Sequence, residues 1–297
     1  MLIKERLLDQ TEMTEVEAEV ANFFLETGRA LKSMSSRAIA KELFVAPSTV
    51  TRFCQWLGFG GFNAFKEAYL AEVDYLDTNF QEIDPNKPFG ERDQNMAVAS
   101  KIASLYQETV QDSLSLLNHD ILQQATRMLE RATNIQFGVV GDAFEMAETF
   151  KNRMVKLGKP VTIERRLDNL FFAALQASHE SCFILVSYSG ETESILKVAE
   201  VLKKRHLPTI VLTSFGDNSL SQMFNMVIRI STRETLVENL GNFSSLISIS
   251  FILDSLYASY FQRDYDKHYR QKIKLSRTFE QKRKSNNPLL RGSSDKS

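Results

Sequence analysis

The rhythm of apolar and polar positions changes once along the chain. Through residues 1–76 apolar side chains recur every three or four positions, the period of amphipathic helices, and no stretch alternates as a strand does. Thr14 and Glu17 have the spacing of a capping box, behind which Val16, Val20 and Phe24 line one helix face. Ser35 or Ser36 can cap a second helix running to about Leu43, with Ile39 and Leu43 inward. Pro47 suits the first turn of a third helix and Gly58 its far end. Between them Val50, Phe53, Cys54 and Leu57 form an inward stripe.

The pattern then breaks at "NFQEIDPNKPFGERDQN" (79–95), which reads as part of a linker over 77–104. A helical stretch around 97–131 follows. Beyond it the short β-rich runs "IQFGVV", "PVTI", "CFILV", "TIVLT" and "MVIRI" alternate with longer helical ones. Such alternation predicts an α/β domain over 105–262, a parallel sheet covered by helices on both faces. A last helix at about 240–262 leads into a basic tail, 263–297, expected to be partly disordered. Lys282, Arg283 and Lys284 in that tail suit either a solvated end or an acidic partner, DNA included.

Composition narrows the function classes without choosing one. The chain has 297 residues, 36 Lys+Arg against 37 Asp+Glu, and 43% hydrophobic residues. Overall charge therefore points to no nucleic-acid or membrane partner, but its distribution does more. Residues 1–27 carry Lys4 and Arg6 against seven acids, whereas 28–66 carry six bases against Glu42 alone. The start lacks a signal-peptide core, and the most apolar late segment, "LISISFILDSLYASYF", is cut by serines and Asp254. A cytoplasmic protein with no membrane partner is expected. Cys54 and Cys182 sit in apolar surroundings and read as buried, reduced thiols; the four His and two Cys show no metal-ligand spacing. No metal or cofactor is expected.

The second and third helices, joined through Phe44–Ala46, have the form of a helix-turn-helix whose second helix would enter a DNA major groove. Candidate DNA contacts are Ser36, Arg37, Ser48, Thr49, Thr51, Arg52 and Gln55, within the basic stretch. A solvated helical hairpin that binds protein or nothing is the alternative. A second constellation lies at "SYSGET" (187–192), where a buried apolar run ends in hydroxyls and a glycine just before a helix. These residues make either a turn with an N-cap or an anion cradle at a helix start.

"SSRAIAKELFVAPSTVTRFCQWLGFGGFNAFK" resembles the winged-helix-like DNA-binding domain of the RpiR/MurR family of bacterial sugar-responsive regulators, with Ala46 where the family usually has a capping serine. "SYSGETESILKVAEVLKKRHLPTIVLTS" resembles the signature S-x-S-G-x-T of the sugar-isomerase (SIS) domain that the family pairs with it. The resemblance implies an all-α helix-turn-helix domain plus an α/β SIS domain. It implies a double-stranded DNA operator and a phosphosugar effector as partners, and a homodimer or dimer of dimers. Ser187, Ser189, Gly190 and Thr192 would form the phosphosugar cradle, with Glu191 turned outward and Gly190 allowing close backbone approach. The first loop, "VVGDAF", departs from the family's G-x-G-x-S: Val139 replaces a glycine, Gly141 is kept and Ala143 replaces the serine. Asp142 there can accept from sugar hydroxyls or cap the following helix. Glu234 falls where related domains place an acid near the sugar, or is a surface-loop carboxylate. Ser244 or Ser245 matches a serine whose arginine neighbour is here Leu246. An isomerase or lyase on the same fold is the rival reading; Glu234 is its one placed general base, with His179 and His268 further off.

Overall fold

The computed structural model describes residues 3–79 and 83–279. The N-terminal domain is helical: α1 (Ile3–Leu8), α2 (Glu15–Thr27), α3 (Ser36–Glu42), α4 (Pro47–Trp56) and α5 (Phe62–Asn79), with a 3-10 segment at Gly28–Ser33. Its core gathers Leu7, Val20, Phe24, Leu31, Ile39, Val50, Phe53, Cys54, Leu57, Phe65 and Tyr69. Phe24 stacks on Phe65 at 4.6 Å and Phe65 on Tyr69 at 5.5 Å, so an aromatic column joins α2 to α5. Val16 was expected inward but is exposed, because it lies in the first turn of α2, before the helix reaches the core.

Helix ends follow local chemistry. The Thr14–Glu17 capping box forms, and the Ser35 hydroxyl caps α3 by accepting from the Ala38 amide at 3.2 Å. Leaving α3, Phe44 donates to Lys41 O and Val45 to Ala40 O, a Schellman end with Phe44 in the left-handed position (φ 52°). Leaving α4, Gly58 and Phe59 donate to Gln55 O and Cys54 O, the same motif with glycine in that position. One cap is remote: Glu72 of α5 accepts from the amides of Ile3 and Lys4 at 2.6 and 2.7 Å and so holds α1 in place.

The second part begins earlier than the sequence suggests. α6 covers Asn95–Leu116 and α7 His119–Arg131, so the single helical stretch expected at 97–131 is two helices. Asn118 divides them; its side chain caps α7 by accepting from the Ile121 amide at 2.8 Å. The ten residues 95–104, assigned to the linker, are already helix. Then come β1 (Asn134–Val139), α8 (Ala143–Val155), β2 (Val161–Ile163), α9 (Leu167–Gln176), β3 (Ser181–Val186), α10 (Glu193–Lys204), β4 (Thr209–Ser214), β5 (Val227–Ile230) and α11 (Phe243–Arg263). The strands form one parallel sheet in the order β2-β1-β3-β4-β5. One face packs on α7, α8 and α11 around Phe137, Phe150 and Leu253, the other on α9 and α10 around Leu170, Phe183 and Val198. α6 lies along α11 through buried hydroxyls: Thr109 donates to Ser244 at 3.0 Å and Ser113 to Ser248 at 2.7 Å.

The tail also differs from expectation, since α12 (Tyr265–Phe279) is a helix docked back on α11. His268 is buried there, stacked on Tyr260 at 5.0 Å, which accounts for it structurally; residues 282–284 lie outside the described residues. Among the described residues no helix is long and apolar enough to cross a membrane. Burial pushes the thiols of Cys54 and Cys182 up to about 12, and both are free.

Candidate functional site

In the helix-turn-helix, α3 and α4 pack through Ile39, Ala40, Val50, Phe53 and Cys54, so their polar residues are left outside. Arg37, Ser48, Arg52 and Gln55 are exposed, and Ser36, Thr49 and Thr51 are half-buried. Five of the seven candidates thus share α4, and Ser36 and Arg37 open α3. Ala46 stands at the N-cap of α4 and offers no side-chain acceptor, as the departure from the family pattern implies. Pro47 brings no N–H to the first turn of α4, and the Thr49 amide donates to Ala46 O at 2.9 Å.

The sheet order puts a switch point between β1 and β3, whose following loops diverge to opposite faces. In such sheets the crevice beyond those strand ends takes the ligand. Here the two loops are 140–142 and 187–192, the ones that carry Gly141, Asp142, Ser187, Ser189, Gly190 and Thr192.

The loop after β3 is braced by its own small side chains. The Ser187 hydroxyl is 3.0 Å from that of Thr192 and accepts from the Gly190 amide at 3.2 Å. The Ser189 hydroxyl accepts from the Glu191 amide at 3.1 Å. No side chain caps α10, so its first amides and partial positive charge open beside the half-buried Ser189 and Thr192. Gly190 has another reason to be glycine than ligand approach. Its φ is +71°, and a Cβ there would lie 2.1 Å from Asn218 Oδ1. Asn218 is itself fixed, donating to Thr213 at 3.1 Å and accepting from the Ser221 amide at 2.9 Å. Glu191 is exposed as expected, but not idle: its carboxylate accepts from the Ser219 amide at 2.8 Å.

The loop after β1 differs. Asp142 stands at the N-cap of α8 yet caps nothing. Its backbone is already helical (φ −65°, ψ −23°), whereas a capping residue needs an extended backbone to swing its oxygen over the next turn. Its Oδ2 accepts instead from the Asn242 side chain at 3.3 Å. Ala143 begins α8, Val139 is buried at the end of β1, and Leu246 is half-buried in the first turn of α11.

Glu234 is neither a surface carboxylate nor an open one. It is buried, and its two oxygens accept from the amides of Ser244 and Ser245 at 2.6 and 2.9 Å. It is the N-terminal cap of α11, where a negative charge is favoured by the helix dipole. Tyr188, between the two serines of the loop after β3, meets its backbone: the Tyr188 hydroxyl donates to Glu234 O at 2.8 Å and accepts from Glu234 N at 3.2 Å. Sequence reading missed Tyr188 because its partner is 46 residues away. It missed Asn218 although Asn218 and Ser221 have the spacing of a capped turn. His179 is exposed between α9 and β3, at the opposite end of the strand from the crevice. A separate groove of about 410 Å³ lies between α7 and the far end of α11, lined by His119, Leu122, Ala258 and Gln262.

Residues 2–74 match the family model of the rpiR-family helix-turn-helix domain, and residues 128–259 that of the SIS domain. The chain is an RpiR-family helix-turn-helix domain joined to a SIS domain. Two relatives match this chain over most of their length. An uncharacterized HTH-type transcriptional regulator of Haemophilus influenzae is 23% identical over 254 residues, 86% of this chain and 88% of the relative. One from Caldanaerobacter subterraneus is 24% identical over 253 residues, 85% and 88%. The fold is shared with the Vibrio vulnificus NanR protein complexed with ManNAc-6P (TM-score 0.60, 20% identity, 93% of this chain and 97% of that one). It is shared too with the sugar isomerase domain of an RpiR transcription factor from Sphaerobacter thermophilus (0.54, 14%, 60% and 98%).

Proposed function

We propose that this RpiR-family chain is a cytoplasmic, DNA-binding transcriptional regulator that senses a phosphorylated sugar or amino sugar in its SIS domain and controls carbohydrate-metabolism genes. The observation that carries the reading is the presence, in one chain, of two surfaces suited to phosphates of different kinds. One is the exposed polar face of α4 on a locally basic stretch. The other is the uncapped start of α10 beside Ser189 and Thr192 at the switch point of the sheet. The NanR protein, solved with ManNAc-6P, gives the ligand class a precedent on this fold. A homodimer or dimer of dimers would present paired recognition helices to a pseudo-palindromic operator.

The enzyme reading loses support at Glu234. A general base must reach a proton on substrate, and this carboxylate has both oxygens engaged by backbone amides of α11. The test is a thermal-shift screen of sugar phosphates, ManNAc-6P included, followed by gel-shift titration on double-stranded DNA selected from a random pool. Ligand at about a hundredfold over its dissociation constant should stabilise the SIS domain by about 2.7 kcal/mol, and the same compound should change the amount of DNA bound. Stabilisation without any change in DNA binding would sink the sensor reading.

A further inference from the structure

Between the two domains runs the segment 83–94, the described part of the connection from α5 to α6. It is fastened to the loop that follows β5, residues 231–242. Asn86 Oδ1 accepts from both the amide and the hydroxyl of Thr235, at 2.8 and 3.1 Å, and Asn86 O accepts from the Leu240 amide at 3.0 Å. The Arg233 guanidinium, its side chain 1% exposed, donates to Ile83 O at 3.1 Å and pairs with Glu108 of α6 at 2.7 Å. Phe89 rests edge-on against Phe243, the first residue of α11, at 6.4 Å.

The residue between Arg233 and Thr235 is Glu234, whose backbone carries the reciprocal pair of hydrogen bonds to Tyr188. Three consecutive residues therefore hold, in turn, the interdomain segment, the candidate ligand loop and the interdomain segment again. Tyr188 cannot follow its loop without dragging or releasing the Glu234 peptide, because one hydroxyl is both donor and acceptor to it. The Glu234 side chain in turn joins that peptide to the start of α11, through the amides of Ser244 and Ser245.

We propose that Arg233–Thr235 is a bridge through which the state of the 187–192 loop is communicated to residues 83–94, and so to the helix-turn-helix, with Tyr188 and Asn86 as its positioning residues. This rests on the proposed sensing function for its biological meaning. The mechanical link itself is independent of any ligand. Coupling of this kind requires that both ends bias one shared element, and the 231–242 loop is that element.

The experiment is hydrogen exchange on the full-length, ligand-free protein, comparing wild type with Tyr188→Phe and Asn86→Ala. Tyr188→Phe removes one hydroxyl and keeps the ring; it should speed exchange at least about threefold not only in 231–242, where that hydroxyl bonds Glu234, but also in 83–90. Asn86→Ala should do the same in 187–192, whereas Asn86→Asp, which retains an acceptor oxygen, should resemble wild type. Changes confined to the substituted residue's own loop and its immediate partner would overturn the bridge. With the sugar-phosphate panel and selected DNA added, the ligand-induced change in DNA affinity, about 5- to 150-fold where such coupling exists, should fall to within about twofold of unity in both variants. A coupling factor unchanged by Tyr188→Phe would also overturn it. If no sugar phosphate stabilises even the wild type, the sensing function fails, and the exchange comparison still decides the bridge.

Discussion

The helix-turn-helix and the crevice solve similar problems at different ranges. Around α3 and α4 the turns and helix ends are settled by residues three to five apart: Ser35 with Ala38, Phe44 with Lys41, Gly58 with Gln55. At the crevice the decisive pairs are far apart in the chain. Tyr188 and Glu234 are separated by 46 residues, Asp142 and Asn242 by 100, Asn86 and Thr235 by 149. A locally determined unit presents a fixed surface, suited to reading a fixed shape such as a DNA groove. A site assembled from distant loops has joints, and its geometry can depend on what occupies it.

Substitutions can widen or narrow that contrast. The largest effect is expected for Phe53→Ala, which empties a fully buried position beside Phe24 and Trp56 and should cost the helical domain about 3–5 kcal/mol. The single tryptophan, Trp56, lies in α4, so its fluorescence during urea denaturation reports that domain. Next comes Gly190→Ala, expected to cost about 2–4 kcal/mol through left-handed strain and collision with Asn218. Because Asn218 Cβ itself would lie 2.8 Å from the added methyl, the collision is removed only by Asn218→Gly; measured against that single variant, Gly190→Ala with Asn218→Gly should cost only the about 1–2 kcal/mol of strain. Circular dichroism melts of these variants would separate the terms. Glu234→Gln replaces one of the two acceptor oxygens, each facing one amide, with a donor, and should cost about 1.5–3 kcal/mol in chemical denaturation. Phe44→Gly should be the smallest and the opposite in sign. Relief of about 1–2 kcal/mol of left-handed strain, offset by the greater freedom of glycine in the unfolded chain, leaves a gain of about 0.5–1 kcal/mol. A fall in Tm for Phe44→Gly would show that this exposed phenylalanine makes a contact that outweighs its backbone.

The same difference in range explains what could be read from residues alone. The strands, the parallel sheet, the helix-turn-helix and its inward stripe were legible because periodicity and capping chemistry are local. The two loops of the crevice were legible as places, since a buried run followed by hydroxyls and a helix is itself a local pattern. Their wiring was not. Glu234 looked like a ligand acid because nothing near it in sequence marks it as the cap of a helix that starts nine residues later. Asp142 looked like a cap because its position is right, but its backbone angles are set by the turn at Gly141. The break at Asn118 was readable in principle, being an asparagine three residues before the amide it caps. The helical run at 265–279 was masked by its own charge, since docking on α11 through His268 stabilises a segment whose composition alone suggests solvation.

The central claim is that one chain binds DNA at α4 and a sugar phosphate at the start of α10. It is tested most directly by crossing Arg52→Ala and Ser189→Ala against both readouts: anisotropy of selected DNA, and thermal stabilisation by the sugar phosphate that shifts the wild type most. Arg52→Ala should weaken DNA binding and keep the ligand-induced shift. Ser189→Ala should keep DNA binding and lose most of that shift. A Ser189 variant with an undiminished shift, or an Arg52 variant that still holds DNA as the wild type does, would contradict the account.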